Sequence, residues 1–130
     1  MFRLVYVDEP GLPAFYRLVW NAHISELTDL TLHARTAYLL ALMTTEEVLR
    51  EHLAPRKINL ASLGNQVPHL HWHVIARFEW DSHFPDAVWA SPRREVAESQ
   101  TAVVKQKLSG LEQTLAMRLG GLFPGNQFSP

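Results

Sequence analysis

RLVYVD at residues 3–8 alternates and is rich in β-formers, and EPGLP ends it with a turn holding two prolines and a glycine. FYRLVW (15–20) has the same character, so the two segments predict a hairpin. From Leu30 to Leu53 the period becomes helical, with Leu32, Leu39, Leu42, Leu49 and Leu53 on one stripe. Thr44 followed by Glu47 has the form of a capping box, which leaves open one helix or two. Pro55 ends the stretch by pushing Ala54 out of helical backbone. KINLASL (57–63) and HLHWHVIARF (69–78) predict two further strands. GNQVP between them leaves no room for a crossover helix, so they pair antiparallel.

After a polar, aromatic loop, Ser91-Pro92 offers an N-cap with proline at the first helical position. Val104, Leu108, Leu111, Leu115, Leu119 and Leu122 then recur every third or fourth residue, predicting a long amphipathic helix over about 92–119. Gly120-Gly121 and Pro124 end it, leaving one domain over 1–124 and a frayed tail at 125–130. Strands arrive in hairpins with helices inserted between them. The expected fold is α+β: an antiparallel β-sheet with a central helix and a long C-terminal helix.

At 130 residues, 47% of them hydrophobic and 19% charged, the chain has the size and composition of one globular domain. Its net charge of −1 gives no bulk grip on nucleic acid or an anionic membrane, so any phosphate must be held by a local site. There is no cysteine, which rules out disulfides and thiolate metal sites and agrees with a reducing, cytoplasmic location. The opening MFRLVYVDEPG does not resemble a signal peptide. The longest stretch free of Asp, Glu, Lys and Arg, Ile58 to Ala76, contains three histidines and a proline, so no membrane span is expected.

Those histidines carry the chemistry. In a strand, His69, His71 and His73 share one face at ~6.6 Å intervals, while Leu70, Trp72 and Val74 turn to the core. Three readings compete. Ordinary half-buried surface groups rarely fall in such strict alternation. A metal site is chemically open, since imidazole binds zinc, copper or iron, but it needs a ligand from another segment, such as Asp81 or His83. The third reading is nucleophilic catalysis: a neutral imidazole attacks phosphorus, its other ring nitrogen is held by an acceptor, and a neighbouring histidine serves the phosphate or the leaving group.

HLHWHVI resembles the histidine triad (HIT) motif, His-φ-His-φ-His-φ-φ with φ hydrophobic, at every position. The surrounding NLASLGNQVPHLHWHVI is similar to bacterial HIT proteins resembling diadenosine polyphosphate hydrolases, and the likeness covers about residues 3–90. It implies hydrolysis or transfer at the α-phosphate of a dinucleoside polyphosphate or nucleoside phosphoramidate, through a covalent nucleotidyl-histidine, in a homodimer. Carried over by position, His71 is the nucleophile, His69 helps fix its tautomer, and His73 contacts the phosphate or assists the leaving group. Asn59, aligned by deleting one residue, and Asn65 and Gln66 fall where the family places polar groups, and Asp8 is a candidate for the ribose hydroxyls. The nucleophile requires no cofactor or metal, although a divalent cation could accompany a polyphosphate. Two departures stand out: Phe15 where many members carry a fourth histidine, and Ala76 where a proline is usual. The first keeps open a rival class, a nucleotide-binding regulator with little turnover.

Among the remaining residues, His23 is expected to be structural, His33 and His52 solvated, and His83 at the surface. Arg77 is as well suited to a salt bridge or solvent as to phosphate. Trp72 is expected in the core, and Trp80 and Trp89 are the candidate aromatic partners for a base or a second subunit.

Overall fold

A computed structural model describes residues 1–125. Its elements are β1 (Phe2–Tyr6), β2 (Phe15–Trp20), α1 (Leu32–Leu53), β3 (Lys57–Ala61), β4 (His71–Arg77) and α2 (Glu98–Leu122), with one 3-10 turn at Leu27–Asp29. The strands form one antiparallel sheet in the order β1-β2-β4-β3. Both expected hairpins are therefore present, and the β2–β4 pairing joins them.

Strand alternation divides the sheet into two unlike faces. Phe2, Leu4, Tyr16, Leu18, Val74, Ala76 and Ile58 are buried in one core cluster with the apolar stripes of α1 and α2. Burying each large apolar side chain contributes roughly 1.5–3 kcal/mol, which is what holds the two helices to the sheet. The opposite face carries Arg3, Arg17, His71, His73 and Arg77. Its lower half is covered by a small second cluster of Leu12, Phe15 and Ile75 with Val7 and Val88.

The stretch from Leu32 to Leu53 is one helix, capped by the Thr31 hydroxyl, which accepts from the Ala34 N–H at 3.2 Å. Thr44 lies inside it and donates back to the Leu40 carbonyl at 2.9 Å, so it caps nothing. The helix closes through Ala54 in left-handed backbone, φ 46° and ψ 52°, with its N–H on the Arg50 carbonyl.

α2 starts at Glu98 rather than at Pro92. Residues 91–97 are drawn into the preceding loop: the Arg93 N–H donates to the Ser82 carbonyl at 2.7 Å, and the Arg94 guanidinium to the carbonyls of Asp81 and Phe84 at 2.6 and 2.9 Å. The helix also continues through Gly120-Gly121 to Leu122, where the Phe123 N–H bonds the Leu119 carbonyl and its ring meets Phe2 edge-on at 5.3 Å. Most of the expected tail, from residue 126 on, lies outside the described residues.

β4 is shorter than expected at its start. The Leu70 N–H donates to Ile24 outside the sheet, so regular pairing begins at His71. At the other end, Ala76 donates its N–H to the Ala14 carbonyl at 3.0 Å, a bond that a proline could not make. Among the described residues no helix is long and apolar enough to cross a membrane.

Candidate active site

β4 mounts the histidines between β2 and β3. His71 lies opposite Val19 of β2, while His73 lies opposite Arg17 of β2 and Ala61 of β3. All three triad rings line one open cavity of about 540 Å³. That volume is in the range of small-molecule sites. Leu70 and Val74 are buried on the other face, and Trp72 is partly buried against the core, as alternation requires.

The hydrogen bonds assign the tautomers. His71 Nδ1 lies 2.7 Å from the His69 carbonyl oxygen, which only accepts, so Nδ1 carries the proton and Nε2 keeps its lone pair. That lone pair lies 3.1 Å from His73 Nε2, which must then be the donor. His69 Nε2 likewise donates to the Trp20 carbonyl at 2.6 Å. Its Nδ1 accepts from His23 Nδ1 at 3.3 Å. The tautomer of His71 is thus held by the main chain of His69, while the His69 ring anchors itself to the end of β2.

His73 is 5% exposed. Burial, followed by the neighbouring His71 and the Arg17 charge, lowers its pKa to about 4, so it is neutral at pH 7. Its Nδ1 is buried without a hydrogen-bond partner. Phe15, 5.6 Å away between ring centres, offers it a ring and no acceptor or donor. Trp89 meets it edge-on at 5.0 Å.

Asn65 and Gln66 also line the cavity, in the β3–β4 connection that turns at Gly64, φ +76°. Asn59 and Asp8 do not line it. The Asn59 amide oxygen accepts from Arg77 at 2.7 Å, and Asp8 pairs with Lys105 at 3.1 Å. Arg77 itself is buried, forked onto Asp81 through Nε at 2.8 Å and Nη2 at 3.1 Å. Asp81 also accepts the N–H groups of Phe78, His83 and Phe84, so the loop after β4 is built around this ion pair. His83 bonds Ser82 and lies off the cavity. Trp89 reaches the triad from this loop, whereas Trp80 stacks on Phe78. Among the described residues no group of three or more His, Cys, Asp or Glu side chains could hold a metal ion.

Two cavity-lining cations were not singled out from sequence, Arg3 and Arg17. Their signal was a cation in the middle of an otherwise apolar strand, on the face opposite the buried residues. His23, expected to be structural, packs against His69, with ring centres 5.5 Å apart.

A family model described as HIT domain matches residues 2–80, a span that includes all four strands and α1. The chain is similar to the crystal structure of a histidine triad protein from Bradyrhizobium japonicum, at 26% identity and a TM-score of 0.73, covering 88% of this chain and 84% of that one. A histidine triad protein from Marinobacter aquaeolei VT8 matches at 31% identity and a TM-score of 0.68, over 87% and 83% of the two chains. One from Sinorhizobium meliloti 1021 matches at 26% identity and 0.65, over 82% and 80%. No curated protein matches significantly.

Proposed function

The chain belongs to the histidine triad family, and on that premise we propose that it is a nucleotidyl hydrolase or transferase acting at the α-phosphate of nucleotide conjugates. The observation that carries this reading is the 2.7 Å bond from His71 Nδ1 to the His69 carbonyl, which leaves Nε2 of this cavity-lining ring unprotonated.

The steps follow from that arrangement. His71 Nε2 attacks the α-phosphorus, an N–P bond forms, and the bond from phosphorus to the leaving atom breaks with its electron pair on the leaving group. His73, neutral and protonated at Nε2, turns its N–H from His71 to the phosphate oxygens or the departing atom. Charge that develops on His71 is stabilised by the Nδ1–H bond to the main chain. Water then attacks phosphorus and gives up a proton to solvent, the N–P bond breaks with its electron pair returning to Nε2, and His71 is again a neutral imidazole. Asn65 and Gln66, on the cavity rim, orient phosphate oxygens. The substrate is a nucleotide conjugate, and the working unit in this reading is a homodimer, for which light scattering is the test.

The test is hydrolysis of a dinucleoside polyphosphate and of adenosine phosphoramidate by wild type and His71→Ala, with mass spectrometry of the quenched protein. The expected result is a nucleotidyl adduct on wild type and a loss of at least a thousandfold in rate in the variant. An unchanged rate in His71→Ala refutes the assignment.

Phe15 favours one second reading, a nucleotide-binding regulator with slow turnover, because it leaves His73 Nδ1 without a polar partner. Tight calorimetric binding of AMP without product formation from either substrate would select it.

A further inference from the structure

Arg17 and Arg3 form a cationic strip beside the triad that the chemistry at the α-phosphorus leaves unused. Arg17 is directly across from His73, and Arg3 is across from Val19, which is across from His71. The two arginines are therefore diagonal neighbours on adjacent strands, a spacing of ~7–8 Å. From His71 the strip runs across β2 to β1, a distance of ~10 Å at the spacing of paired strands.

Neither guanidinium has a carboxylate partner among the described residues. Arg3 donates to the Asn21 amide oxygen at 3.1 Å, and Arg17 has only the Phe15 ring, 5.8 Å from its guanidinium carbon. Elsewhere in the molecule Arg56, Arg77, Arg93 and Arg118 each meet an Asp or Glu, while Arg35 and Arg94 donate to main-chain carbonyls. Among the described residues no Asp or Glu lines the cavity, so a chain of net charge −1 carries a local excess of positive charge there. Guanidinium groups match phosphate oxygens in geometry and charge, and converging cations in a cleft concentrate anions.

We infer that Arg17 and Arg3 form an anion subsite for the leaving group, so that the preferred substrates release an oligophosphate rather than a neutral amine. This rests on the proposed nucleotidyl transfer. With the α-phosphorus at His71, the following phosphates extend across β2 towards β1 and meet first Arg17 and then Arg3. A neutral amine would leave both cations uncompensated.

Two measurements test the inference and separate it from its premise. The first is calorimetric binding of inorganic tripolyphosphate to wild type, Arg17→Gln and Arg3→Gln/Arg17→Gln, with thermal unfolding to confirm that the variants fold. Affinity is expected to fall at least tenfold in the double variant and to fall steeply with added salt in wild type. Absent binding to wild type, or equal binding to all three proteins, overturns the subsite whatever the catalytic outcome. The second compares kcat/KM for a dinucleoside polyphosphate and for adenosine phosphoramidate. Arg17→Gln is expected to cost the polyphosphate at least tenfold more than the phosphoramidate. Equal losses would assign Arg17 to the α-phosphate and overturn the inference. If wild type turns over neither substrate, nucleotidyl transfer fails, and the tripolyphosphate measurement still decides the subsite.

Discussion

His73 makes folding sensitive to acid in a way that can be calculated. In the unfolded chain its imidazole takes up a proton as pH falls through about 6.5, whereas in the folded protein burial first, and then His71 and Arg17, delay this to about 4. Between those values the unfolded state binds more protons, so stability rises with pH. The contribution is complete above pH 6.5 and is lost as pH falls through 4. At about 1.4 kcal/mol per pH unit, the whole interval corresponds to about 3.5 kcal/mol, of which about 2–3 kcal/mol is already lost by pH 4.5. The assay is urea unfolding at pH 7.5 and 4.5 for wild type and His73→Asn. Carboxylates such as Asp81 titrate in both proteins and cancel in the comparison. Wild type is expected to lose about 2–3 kcal/mol more than the variant over that range. Equal losses would refute the claim that His73 is held neutral by its surroundings. A proton NMR titration placing its pKa near 6.5 would refute it as well.

Three further predictions concern the frame around the site. Asp81→Asn removes the carboxylate from a buried Arg77, 2% exposed, and is expected to cost about 3–5 kcal/mol in chemical denaturation and to shift the tryptophan emission as the Trp89 loop loosens. Gly11→Ala would bring a Cβ within 2.6 Å of the Ser82 side chain at φ +76°, and should lower stability by about 1–3 kcal/mol. Adding Ser82→Gly should restore part of that loss, and no recovery would argue against the close contact as its cause. Ala54→Gly removes a Cβ from left-handed backbone at the end of α1 and should raise the melting temperature through a gain of roughly 0.5–1 kcal/mol.

What local sequence determined is whatever depends on backbone period. The alternation of His69, His71 and His73 with Leu70, Trp72 and Val74 placed one set on the cavity and the other against the core, because successive strand residues face opposite ways in any sheet. The two hairpins, the helix between them and the leucine stripe of α2 were legible for the same reason, whereas Asn65 and Gln66, which line the cavity, were named only through the family resemblance. Boundaries were less so. Ser91-Pro92 looked like a helix start, but the chain there is tied to Ser82 by main-chain bonds that leave no periodic trace.

Tertiary structure alone decided which groups meet the triad. The β2–β4 pairing brings Arg17 opposite His73, and β1 adds Arg3, although neither strand announces its neighbour. Folding also sends Arg77 into a buried fork with Asp81, and that fork holds Asn59 away from the cavity and builds the loop carrying Trp89 to His73. Asp8 is drawn to Lys105 on the distant α2. Such contacts depend on which distant segments bury surface together, and a side chain's charge or amide does not specify its partner until that packing has chosen one.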